Sequence, residues 1–184
     1  MPDDPKLSHL ESIREDVRDE VKRRIQQRDQ YSMQLTVALG AIAVGAFSAN
    51  GTPRLFILAP LVAIYFTALI LYSYRIHDML ADYLRDEIEP KFEQLCGLPR
   101  SAEWETWYRA RGRTPGVRRW FFVAEMWIVS VVTLGFLWHK EWSISGWFHT
   151  VLWCATGTYL VLSILAQFLL RKKTTKKQQE AKTN

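Results

Sequence analysis

LFILAPLVAIYFTALILYSY, Leu55 to Tyr74, runs for 20 positions without a charged residue. Wound as an α-helix, such a run covers the roughly 30 Å hydrocarbon core of a bilayer. A helix of a soluble bundle keeps a polar stripe towards water, and this run has none. Three further blocks share its character. Gln30 to Pro53 carries no charge, Trp120 to Trp138 carries only Glu125, and Trp142 to Leu170 holds only His149 among acids, bases and histidines. Whole-chain averages conceal this: 48% of residues are hydrophobic, 23% are charged and the mean hydropathy is −0.11. The segregation into blocks is what matters, and it predicts an all-α membrane protein with four transmembrane helices. Their expected bounds are 31–49, 54–74, 120–138 and 146–170. The first thirty residues are dense in charge and lack the apolar core of a cleaved secretory signal.

Lys and Arg orient the spans. Of the 24 in the chain, 22 fall in three segments: the arm up to Gln30, the stretch Arg75–Arg119 and the tail from Arg171. The two short connectors hold one each, Arg54 and Lys140. Since Lys and Arg collect on the cytoplasmic side, both termini and the middle segment are expected in the cytoplasm, at the plasma (inner) membrane. Trp120, Trp138, Trp142 and Trp147 stand at block ends, where indole prefers the headgroup layer.

The cytoplasmic parts read as helical extensions of the spans. Residues 1–30 place Leu10, Ile13, Val17, Val21 and Ile25 three or four positions apart, a narrow apolar stripe on a charged helix. No breaker separates them from the first span, so one helix from about Ser8 to about Ser48 is expected. After the second span, Ile76, Met79, Leu80, Tyr83, Leu84 and Ile88 offer a second stripe, until Pro90 kinks or ends the helix. The two stripes can close on each other within one subunit or pair between subunits. Within 75–119, Cys96-Gly97-Leu98-Pro99 breaks the chain. Beyond it Trp104, Trp107, Tyr108 and Arg111 share one face of a short helix, which suits either the headgroup layer or docking on the paired helical extensions. Pro115 is a favourable first residue for the third span. Residues 171–184 lack apolar periodicity and are expected to be disordered, with Arg171, Lys172, Lys173, Lys176 and Lys177 set against anionic headgroups.

Glu125 is the unusual residue. It lies six positions beyond Arg119, about 9 Å along a helix entering from the cytoplasm. Gln34 and Gln167 lie at similar depth, and Arg75 is the nearest cation at the same side. An acid within a span is a functional candidate by default. The alternative, preferred on the energetics of interhelical hydrogen bonds, is a polar layer of Glu125, Gln34, Gln167 and Arg75 that locks the helices together. Pro60 is expected to kink the second span. Cys96 and Cys154 lack metal-type spacing and read as free thiols; no metal site or cofactor is expected.

The run YLRDEIEPKFEQLCG, Tyr83 to Gly97, resembles a pattern found in small bacterial four-span integral membrane proteins of unknown function. Tyr83, Arg85, Asp86, Glu87, Ile88, Glu89 and Pro90 carry the likeness, with Trp104 and Glu105 after it. The resemblance implies the architecture and a bacterial membrane, and no activity.

No catalytic motif is present: no P-loop, no G-x-S-x-G, no H-E-x-x-H. An enzyme is not expected, and neither is a nucleic-acid partner. Two functions stay open. One is a membrane-anchored, cytoplasm-facing interaction or sensing module, homo-oligomeric, with a cytoplasmic protein as partner. The other is a pore-forming or membrane-perturbing effector gated by its cytoplasmic helices.

Overall fold

A computed structural model describes residues 5–48, 51–97, 115–141 and 146–171. Among these no strand occurs, and four helices are long and apolar enough to cross a membrane. Helix α1 spans Pro5–Phe47, 43 residues, or about 65 Å at 1.5 Å per residue. Proline opens it, where a missing N–H costs nothing. It ends in a turn in which the Gly51 N–H donates to the Ser48 carbonyl, 2.8 Å. A Cβ at Gly51 would collide with the Gly45 carbonyl oxygen, so only glycine fits.

The second long helical stretch departs from α winding twice. A 3-10 turn over Pro53–Leu58 leads into α2, Ala59–Tyr83, then a π-helical segment, Leu84–Ile88, then α3, Glu89–Cys96. Both changes sit against a proline. Pro60 is the second residue of α2, so the expected kink takes the form of a tighter 3-10 entry. Pro90 neither ends the helix nor breaks it. Its missing N–H and its ring would disturb the carbonyl four residues back, and the wider π winding immediately before it relieves that clash. The helix ends instead at Gly97, φ 67°, whose N–H donates to the Glu93 carbonyl, 2.9 Å. This left-handed position is the usual place for glycine. Helices α4, Pro115–Glu141, and α5, Trp147–Arg171, complete the described residues.

The chain folds as two units, one of residues 1–31 with 72–118 and one of residues 32–71 with 119–184. In the first, Leu84, Ile88 and Phe92 are buried against Leu7, Leu10, Ile13 and Val17 of α1. In an α-helix every fourth residue overshoots a full turn by about 40°. The π segment holds more residues per turn, which trims the overshoot and brings Leu84, Ile88 and Phe92 close to one line. The expected stripe is corrected here. Met79 and Tyr83 are exposed, at 59% and 41%, because the inward face of α2 runs through Ser73 and His77 instead and continues at Leu84 of the π segment. Ser73 is buried and donates to the Arg24 carbonyl, 3.0 Å. Apolar spacing does not register a face built on serine and histidine.

In the second unit, Leu35, Ala63, Ile64 and Met126 join α1, α2 and α4. Leu134, Leu137 and Leu152 join α4 to α5, with Phe56, Ile57, Trp138 and Tyr159 around them. Phe47, Phe56 and Phe136 meet edge to face, centroids 5.2 to 6.0 Å apart. Only 11–39% of the most apolar window of each candidate span is buried within the chain. Val37, Val44, Tyr65, Ile128, Val131, Trp153 and Ile164 are among the large apolar side chains left outward. Exposed apolar area on this scale calls for a non-aqueous surrounding.

Candidate functional site

The first half of α1 (residues 5–31, the arm) is clamped from both ends of its contact with the second helical stretch. The Arg14 guanidinium lies over the Phe92 ring, 5.1 Å from its centroid, and that of Arg28 lies over Tyr74 at 4.4 Å. Each cation caps an aromatic edge of the apolar seam, an attraction worth about 0.5–1 kcal/mol where water still reaches the pair. Low residue numbers on α1 meet high ones on the second stretch, so the two run antiparallel.

Charge is organised around the seam. Arg85 bridges Asp86 at 2.8 Å and Asp82 at 3.1 Å. The hydrogen bond to Asp86, followed by the charges of Asp86 and Asp82, outweighs partial burial and raises Arg85 above its ordinary value. On the arm, Arg24 donates to Glu20, 2.7 Å, and Lys22 to Asp19, 2.8 Å. The Lys22 hydrogen bond, then its charge, pulls the Asp19 carboxyl below its ordinary value. Glu89 is buried at 5% exposure, a carboxylate drawn inside this unit.

The polar layer expected in the spans is placed as follows. Gln34, Glu125 and Gln167 belong to one unit and Arg75 to the other. Glu125 and Gln167 are half-buried, whereas Gln34 and Arg75 are exposed. No hydrogen bond among the described residues links Glu125, Gln34 and Gln167. The polar tie that the structure does show is one that apolar patterning missed. The Tyr159 hydroxyl donates to the Ile57 carbonyl, 2.9 Å, across 102 positions of sequence. In the 3-10 register the donor to that carbonyl would be the amide of residue 60, which is proline and has none. Tyr159 fills the place. The signal in the sequence was Pro60, whose missing N–H, once a helical turn precedes it, leaves a carbonyl to be satisfied.

Other polar side chains in these helices fold back on their own turn: Ser130 on Met126, 2.8 Å, Thr133 on Val129, 2.7 Å, and Thr156 on Leu152, 2.7 Å. His149 packs edge-on against Trp138, centroids 5.6 Å apart, and Arg54 lies over Phe148 at 4.6 Å. Cys96 and Cys154 are free and exposed. The aromatic helix of Trp104, Trp107, Tyr108 and Arg111 lies outside the described residues. So do Lys172, Lys173, Lys176 and Lys177 of the tail; Arg171 is the last residue of α5.

Together these features define an all-helical protein with four helices long and apolar enough to cross a membrane, and an antiparallel helical unit closed by an apolar seam and ion pairs. The chain matches no family model, no curated protein and no solved structure.

Proposed function

We propose that the chain is a membrane-anchored interaction or sensing module of the bacterial inner membrane, with both termini and the clamped arm in the cytoplasm. Several copies assemble, and a cytoplasmic protein binds the assembly. The observation that carries this reading is the closed seam. Leu7, Leu10, Ile13 and Val17 of the arm are spent against Leu84, Ile88 and Phe92, so the surface that this part of the arm offers to a partner is charged. The 22-to-2 division of Lys and Arg supports the orientation, and the basic residues Arg171 to Lys177 fit an anionic leaflet. The pore reading draws less support, because Ser130, Thr133 and Thr156 in the candidate spans bond to their own helix.

Two measurements test it. An impermeant thiol reagent applied to intact cells should leave cysteines introduced at Ser8 or Thr183 unlabelled and should label one at Ser143. Induced expression with a potential-sensitive dye should leave the membrane potential unchanged. Labelling at residue 8 or 183 overturns the orientation, and rapid depolarisation overturns the module in favour of the effector.

A further inference from the structure

On the side turned from its seam, with Arg14 at the seam's margin, the arm carries two parallel rows of opposite charge. Glu11, Glu15 and Asp19 form one row and Arg14, Arg18 and Lys22 the other, each stepping by four residues. At 3.6 residues per turn the rows climb side by side about 60° apart around the helix. A furrow of about 390 Å³ lined by these six residues lies along them. Glu11, Glu15, Arg18, Asp19 and Lys22 are exposed. Asp19 and Lys22 pair with each other and Arg14 is held over Phe92. Glu11, Glu15 and Arg18 make no ion pair within the described residues.

We propose that this face packs against the same face of a second copy, the two arms running parallel about a two-fold axis. Symmetry selects the geometry. A two-fold axis along the helix exchanges the left and right sides of the face, so the acidic row of each copy meets the basic row of the other. An axis across the helix makes the arms antiparallel and leaves left and right in place, setting acids against acids and bases against bases. Like charges directly opposed repel, and isologous interfaces must be self-complementary. The face is therefore complementary to itself only when parallel. That is the arrangement imposed on two copies inserted the same way in one bilayer. The inference rests on the reading of α1 as a membrane span, because that is what makes the copies parallel. In such a pair Arg18 of one copy falls beside Glu15 and Asp19 of the other, supplying ion-pair partners that Glu15 and Arg18 do not have among the described residues. Exposed ion pairs are individually weak, so the rows set register and direction for copies already confined to one membrane.

The test is a charge swap read by cross-linking in native membranes. In a Cys96→Ser, Cys154→Ser background, Gln26→Cys places a thiol beside the rows, and a short bifunctional thiol reagent should yield a dimer. Reversing the acids (Glu11→Lys, Glu15→Lys, Asp19→Lys) should abolish that product, as should reversing the bases (Arg18→Glu, Lys22→Glu). Co-expressing the two reversed chains under different tags should restore it as a mixed dimer only. Raising the salt concentration should weaken the unreversed product, which needs no altered charge and so tests the contact even where a reversed chain fails to accumulate. Cross-linking indifferent to both reversals, failure of the mixed pair to form, or a product insensitive to salt would overturn the proposal. An impermeant reagent on the same Gln26→Cys chain separates the two ideas. Labelling from outside defeats the cytoplasmic orientation while leaving a charge-dependent dimer standing; an unlabelled thiol without such a dimer defeats the pairing alone.

Discussion

Replacing Phe92 with alanine should release the arm without disturbing the spans. The ring is 6% exposed, packs against α1 in the Leu84–Ile88–Phe92 cluster and supports Arg14 at 5.1 Å. Truncating a buried phenylalanine costs about 3–5 kcal/mol in a closed core. Among the described residues this seam lies between two helical stretches and can partly collapse, which favours the lower end, about 3 kcal/mol with the cation–π contact included. At 1.4 kcal/mol per decade, the arm's opening equilibrium should rise about a hundredfold. Amide hydrogen exchange in lipid nanodiscs reads this directly: amides of residues 7–20 should exchange on the order of a hundred times faster, and those of residues 33–46 at the parent rate. Phe92→Leu keeps most of the apolar volume and should shift the arm by no more than about tenfold. Unchanged exchange over residues 7–20 in Phe92→Ala would refute the clamp, and equal acceleration over residues 33–46 would refute its independence from the spans.

Tyr159→Phe removes the hydroxyl that serves the Ile57 carbonyl beside Pro60 and should lower the unfolding free energy in detergent by about 1 kcal/mol; a change under a few tenths, measured by denaturant titration, would remove that role. Lys22→Gln should raise the Asp19 midpoint back towards the ordinary carboxylate value of about 3.9, followed by carboxyl carbon NMR. Because folding lowers the Asp19 pKa, its pairing with Lys22 contributes above the unfolded value and is lost as the pH falls through the folded one; the effect is small, since the pair is exposed. Glu125→Gln should leave insertion and oligomeric state intact, as seen by mass measurement in detergent, and should keep any partner binding; loss of function with assembly unchanged would assign Glu125 a proton- or ion-linked role.

The helices were readable because hydropathy and charge are segregated along the chain. Long α1, the Pro115 start and the Gly97 stop all follow from residues whose local physics is decisive: an uninterrupted helix-compatible run, a proline that fits the first turn, a glycine that accepts a left-handed φ. The seam was half readable. Leu10, Ile13 and Val17 fell where spacing put them, but Phe92 and Leu7 did not enter the expected stripe and Met79 and Tyr83 were wrongly included. The π segment accounts for Phe92, because a period of 3.6 cannot be extrapolated through a turn that holds more residues; Met79 and Tyr83 lie before it and yielded the inward face to Ser73 and His77. Tyr159 was missed for a different cause. A hydroxyl inside an apolar block has no periodic signature, and its partner, a carbonyl freed by proline, is specified by tertiary structure. Glu125 and Gln34 stood out as polar residues in apolar runs, yet prominence in sequence did not make them hydrogen-bond partners of each other.

The wide turn before Pro90 also bears on how long the chain can be at that point. Five residues wound between Leu84 and Ile88 sweep nearly the angle that four would sweep in ordinary α geometry, so one of them is surplus to the register. Deleting it alone would bring back the collision with proline; deleting it together with Pro90→Ala would leave a plain helix and keep Phe92 aimed at the arm. Insertion length and the proline are thus a single linked trait, and a one-residue loss anywhere between Leu7 and Val17 enjoys no such compensation.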